Sequence, residues 1–170
     1  MKKVLKICGI VVAAPVAFII AILIQLVIVY IFLGALTLAF DWDKYGVQTT
    51  LWFSDSKSAY SSGGFQDYTD YSEYHFNDRT IEKFKDSKWY TQVTDEDVDY
   101  IKSYFENFER WLDHCWYADN YSFDKDEQIN AGDYFRIYNR YDAEEKKYYN
   151  YDVYYVDLET NTVYFIHNNI

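Results

Sequence analysis

Residues 7 to 40, ICGIVVAAPVAFIIAILIQLVIVYIFLGALTLAF, run for thirty-four positions without one charged side chain. That feature limits the chain more than any other. A bilayer core of ~30 Å takes about 20 helical residues, whereas thirty-four residues in one helix would extend roughly 51 Å. Two spans would need a polar reversal, and the breakers Pro15 and Gly34 stand near opposite ends with no polar turn between them. One tilted or overlong span is the simpler expectation. A cleaved signal peptide is the alternative, since Thr37 and Ala39 are small residues near the end of the run. Its apolar core, however, would far exceed the usual length of about 7–15 residues.

The flanks set the expected orientation. Lys2, Lys3 and Lys6 precede the run, while Asp41 and Asp43 follow it with only Lys44 close by. Positive charge stays on the cytoplasmic side, so residues 1–6 form a basic cytoplasmic tail, 7–40 a signal anchor, and 41–170 an extracytoplasmic part. Trp42 and Tyr45 fall where amphipathic rings settle at headgroup level. Within the run, Gly9, Ala13, Ala17 and Ala21 recur every four residues and lead to Gln25, its one strongly polar side chain. Small residues along one helix face allow close approach, and an intramembrane Gln can bond to its own copy, so this ridge is a candidate homodimer contact, the alternative being that Ala and Gly are simply common in membrane helices.

Charge divides the chain at the same place. Residues 1–40 carry +3, and residues 41–170, with 13 basic against 27 acidic side chains, carry −14. Such a domain is repelled by phosphate backbones and by anionic lipid headgroups, which argues against nucleic acid and leaves a basic protein partner or a bound cation open. Cys8 lies in the apolar run and Cys115 stands alone beyond it, so the outer part has no internal disulfide. About 130 residues can build a core without one.

Within the outer part, 41–93 is polar and aromatic, and SDSKSAYSSGGFQDYTDYSEY reads as a flexible loop from its Ser, Gly and Asp content. TTLWF (49–53) and SEYHF (72–76) suggest short strands, and DRTIEKFKD a turn or two of helix. From Thr94 the pattern strengthens. Thr94 with Asp97 forms an acidic variant of the capping box, and Val98, Ile101, Phe105, Phe108, Leu112 and Cys115 recur at alternating spacings of three and four. An amphipathic helix from about Asp95 to Cys115 is expected. DYFRIYNRY, YYNYDVYYVDL and TVYFIHN, separated by short polar turns, then read as an antiparallel meander. The expected fold is α+β, an amphipathic helix on an antiparallel sheet over 94–170, completed by 41–93.

Catalytic and metal chemistry have little material. Adjacent helical positions carry His114 and Cys115 about 100° apart, so they do not form a thiol–imidazole pair, and Cys115 reads as an ordinary core thiol. DKDEQINAGD (124–133) has the acids of a calcium loop but places Gln128 and Ile129 where a ligand and the turn glycine belong. His75, His114, His167 and Cys115 have no zinc-ligand spacing. No catalytic, cofactor or metal residues are assigned, and no cofactor is expected. Nineteen of the 20 tyrosines lie beyond residue 40, with Trp52, Trp89, Trp111 and Trp116, and these aromatics supply either half-exposed sheet or a surface for envelope glycan, peptide or a protein interface. A hydrolase working through paired carboxylates ranks below both binding readings.

VTDEDVDYIKSYFENFERWL and YDVYYVDLETNTVYFIHNNI resemble parts of small uncharacterised proteins of Gram-positive, gut-type bacteria, in which an N-terminal anchor precedes a short α+β domain. The resemblance spans about the last 75 residues and rests on wording, not on a motif. It implies a bacterial membrane location and transfers no functional residue. The function expected from all this is a membrane-tethered interaction module, a subunit or immunity-like inhibitor, with a glycan- or peptide-binding module as the alternative.

Overall fold

The computed structural model describes residues 18–34, 41–63, 68–142 and 147–169. The chain divides into two compact units, Met1–Trp42 and Asp43–Ile170. In the first, residues 18–34 form a helix (α1) whose large apolar side chains, such as Phe18 and Phe32, are exposed. The rest of the run, 7–17 and 35–40, lies outside the described residues. No helix among the described residues is long and apolar enough to cross a membrane.

The second unit is α+β. Six strands, β1 (Ser56–Ser61), β2 (Tyr68–His75), β3 (Thr91–Gln92), β4 (Tyr134–Asp142), β5 (Lys147–Asp157) and β6 (Thr162–Asn169), form one sheet in the order β1-β2-β6-β5-β4-β3. Every pairing is antiparallel. The β4–β5–β6 meander is as expected. Its last turn is closed by Asp157, whose Oδ1 accepts from the backbone of Glu159 and Thr160 at 2.9 and 3.0 Å, and by Asn161 at a φ of 55°. Asparagine tolerates that left-handed geometry better than most side chains.

Both faces of β5 are covered because its side chains alternate between two cores. Tyr151, Val153 and Tyr155 join Ile101, Phe105 and Phe108 of α4 (Asp95–Leu112) on one side. Tyr154 and Val156 join Val47 and Leu51 of the segment led by α2 (Trp42–Thr50), and Ile81 and Phe84 from α3 (Asp78–Ile81) and the 3₁₀ turn after it, on the other. The acidic cap forms as the sequence suggests. Asp97 accepts from the Thr94 backbone N–H at 3.0 Å and from its hydroxyl at 2.7 Å. These bonds hold the Asp97 carboxyl below the usual range.

Three expectations need correction. The helix ends at Leu112 instead of Cys115, since His114 and Cys115 donate to the carbonyls of Trp111 and Leu112 and tighten the chain into turns. TTLWF is not a strand. Thr49 and Thr50 end α2, their hydroxyls donating to the carbonyls of Gly46 and Val47 at 2.8 and 2.6 Å, and Leu51–Phe53 is a 3₁₀ turn. Finally, the Ser/Gly-rich stretch is not a loop over its described residues, because β1 pairs antiparallel with β2 and β2 pairs along its whole length with β6. Several of its polar side chains are bonded inside the fold, although Asp70 Oδ1 is buried without a hydrogen-bond partner. Thr69 Oγ1 lies 2.9 Å from the Tyr117 hydroxyl and Glu73 accepts from Tyr71 and from Ser122.

Gly46 is where α2 meets the 76–90 segment of its own layer, since a Cβ there would run into the indole of Trp89. Alanine favours helix over glycine by about 1 kcal/mol, but forcing a methyl into packed space costs about 1–3 kcal/mol. Gly46→Ala is therefore expected to lower the melting temperature by several degrees. A higher melting temperature would show that Trp89 yields freely and that the close approach is incidental.

Candidate functional site

Three regions of the second unit carry chemistry. The first is buried. Asp152 on β5 stands directly opposite His167 on β6, and His167 stands opposite Asp70 on β2. Asp152 Oδ1 is hydrogen-bonded to His167 Nδ1, while Lys44 of α2 closes an ion pair on Oδ2. Burial alone would raise the Asp152 carboxyl, yet the bonds from His167 and Lys44 outweigh it and hold the group below the usual carboxylate range. A carboxylate on Nδ1 is also how a general-base histidine is oriented. Here, however, Nε2 has no hydrogen-bond partner, so no hydroxyl or thiol of the described residues is in reach of it, and the Tyr68 ring stacks on the imidazole at 4.7 Å. The arrangement fastens α2 to the sheet.

Asp133 makes an instructive contrast. It accepts from Tyr155 Oη at 2.5 Å and from the Leu158 N–H at 3.0 Å, yet burial dominates and raises its carboxyl. A raised carboxyl is favoured neutral, so its effect on stability is most favourable at low pH and diminishes as pH rises through the unfolded and then the folded pKa. Asp152 has the opposite sign.

The second region is a groove between the segment led by α2 and the β1–β2 hairpin. One depression of about 420 Å³ is lined by residues including Gln48, Trp52, Lys57 and Tyr154, and another of about 270 Å³ shares Lys57, Tyr74 and Phe165 with it and continues to Asp70. Lys57 lies over the Tyr74 ring at 4.8 Å. On the other side of the 3₁₀ turn, a cleft of about 330 Å³ runs between Phe53, Lys83 and Trp89. Trp52 and Phe53 stand between these hollows, each 69% exposed. Tyr45 is half-buried and meets Trp52 edge-on at 5.8 Å.

The third region is the layer on the opposite face of the sheet. Residues 94–128 hold eleven acidic side chains against Lys102, Arg110 and Lys125, a net −8, whereas 43–53 and 76–90 together hold four acidic against five basic, a net +1. Two of the three cations in the acidic layer are already engaged within it, Lys102 with Asp126 at 3.1 Å and Lys125 with Glu109 at 2.7 Å. Large rings emerge among these acids: Tyr100 and Trp111 on α4, 42% and 40% exposed, and Trp116 just beyond it.

Of the residues singled out from sequence, Ala21 and Gln25 lie one turn apart on α1 and are exposed, while Lys2, Lys3, Lys6, Gly9, Ala13 and Ala17 lie outside the described residues. Trp42 is 59% exposed. Cys115 is a free, half-buried thiol whose Sγ lies 3.1 Å from Thr69 Oγ1. Among the described residues no group of three or more His, Cys, Asp or Glu is placed to hold a metal ion, and Asp124 instead caps the short helix α5 (Lys125–Gln128). Trp52 is one of the aromatics that the sequence offers for binding, whereas Phe53 is hidden inside the stretch expected as a strand, and the 3₁₀ turn exposes both. Comparison with protein-family models, curated proteins and solved structures finds no match to this chain.

Proposed function

We propose that this chain is a single-pass protein of a bacterial cell membrane, anchored by residues 7–40 with its N-terminus in the cytoplasm. Residues 41–170 lie outside as a non-enzymatic interaction module, a subunit or inhibitor, for a basic protein partner. The observation that carries this reading is the segregation of charge. The acids are concentrated on the α4 layer, and Tyr100, Trp111 and Trp116 stand exposed among them. Aromatic anchors ringed by one sign of charge suit a partner of the opposite sign, because the charges steer encounter while the rings supply contact area. The uncharged 7–40 run, helical over 18–34 with its apolar side chains outward, supports the anchor. Gln25 and the small-residue ridge support a homodimer within it.

The test is neutralisation. Replacing Asp95, Glu96 and Asp99, all exposed, by their amides should slow association with a basic partner about tenfold at low salt and leave the melting temperature nearly unchanged. Association that ignores these changes would count against the reading. A second reading rests on the groove beside β1, whose Trp52, Tyr74 and Phe165 offer stacking surface to an envelope glycan or peptide. Saturable binding of such a ligand, lost in Trp52→Ala but not in the amide variants, would favour it.

A further inference from the structure

We infer that the layer formed by α2, its 3₁₀ extension and residues 76–90 docks on the surface of the bilayer, with Trp52 and Phe53 at headgroup level, so that the acidic α4 layer faces away from it. This rests on the anchor proposed above. Three observations select lipid as the occupant. The two most exposed apolar side chains of this layer are adjacent and of the kind that settles at a membrane interface. They are flanked by cations, with Lys57 lining the hollow on one side of Trp52 and Lys83 lining the cleft beside Phe53. The layer as a whole has a net charge of +1 where the opposite layer has −8.

The charge difference matters because a domain of −14 would otherwise be pushed off anionic lipid. Two helix layers on either side of a sheet lie on the order of 20 Å apart, with each helix about 10 Å from the strands, and the Debye length at physiological salt is ~8 Å. The bilayer therefore meets the near layer with the far acids largely screened. Trp52 follows the apolar run by only twelve positions, so the tether holds this segment close to lipid at high effective concentration. In the docked state the Trp52 wall of the groove is occupied, and soluble ligands compete with lipid for it.

The experiment uses the full chain reconstituted in vesicles of phosphatidylcholine and phosphatidylglycerol with brominated acyl chains, reading quenching of tryptophan fluorescence. The intact chain is expected to lose clearly more emission than Trp52→Phe, whereas Trp116→Phe, which removes an equally exposed ring from the other layer, should lower quenching no more than its share of emission. Lys83→Glu with Lys57→Glu should reduce the Trp52 contribution at least twofold, and more in anionic than in neutral vesicles. If Trp52→Phe and Trp116→Phe behave alike while the chain resists alkaline extraction, the docking inference is wrong and the anchor stands. If the chain is extracted yet Trp52 is still quenched, docking stands and the anchor fails. Trp52 emission that responds to a soluble glycan or peptide but not to brominated lipid would also overturn docking.

Discussion

Asp152→Ala is expected to lower the unfolding free energy by about 2–4 kcal/mol at neutral pH, because it leaves the imidazole of His167 and the ammonium of Lys44 facing a site built for a carboxylate. The full cost of a broken buried pair is discounted because the Lys44 side chain is 38% exposed and can turn toward water, while Asp152 itself is only 3% exposed. The pH dependence identifies the cause. The folded carboxyl sits below the unfolded one, so its contribution is complete above about pH 4 and disappears as pH falls through the folded pKa. Chemical denaturation of both proteins should show a gap at pH 7 that closes toward pH 2. A gap independent of pH would mean that packing, not charge, holds α2 on the sheet. The bonds of Asp133 do not offset its burial, so Asp133→Asn should cost less at pH 7 than Asp152→Ala.

Phe105→Ala should cost about 3–5 kcal/mol, the range for removing a buried ring. Phe105 is fully buried, lies 4.3 Å from the Phe123 ring centroid and meets Tyr155 edge-on at 6.4 Å. It thereby joins α4, the segment returning from it and the middle of the sheet. Loss of this ring loosens the helix that displays six of the eleven acids of this layer, so affinity for a basic partner should fall with stability even though Phe105 touches no solvent. Glu106→Gln, one residue on and exposed, should change stability by less than about 0.5 kcal/mol. Equal effects at the two positions, read from urea denaturation, would contradict the placement of α4.

α4 and the C-terminal meander were legible in the sequence because their apolar residues follow the helix and strand periods without interruption. Of the β1–β2 hairpin only the end of β2, within SEYHF, was legible, since the rest is rich in Ser, Asp and Thr, and hydrogen-bond partners of the hairpin, Tyr117 and Ser122 among them, lie some 50 residues further on. α2 was obscured by its two threonines, β-branched residues that suggest strand but here donate to carbonyls three residues back. The buried Asp152–His167 pair was within reach. The β5–β6 turn sets Asp157 opposite Thr162, and counting five rungs back along the ladder brings Asp152 opposite His167. Lys44 was not, because nothing in its neighbourhood shows that α2 returns to that end of the sheet. The balance of charge between the two layers also needed the fold, for it depends on which segments share a face.

The measurement that tests the central claim most directly is photo-cross-linking from position 111 or 100 on α4 in native membranes, repeated across a range of salt. A tethered acidic module predicts one dominant basic protein cross-linked from α4, reduced severalfold at high salt and by the amide substitutions at Asp95, Glu96 and Asp99. Cross-links that persist unchanged at high salt, or that join only copies of this chain, would contradict it.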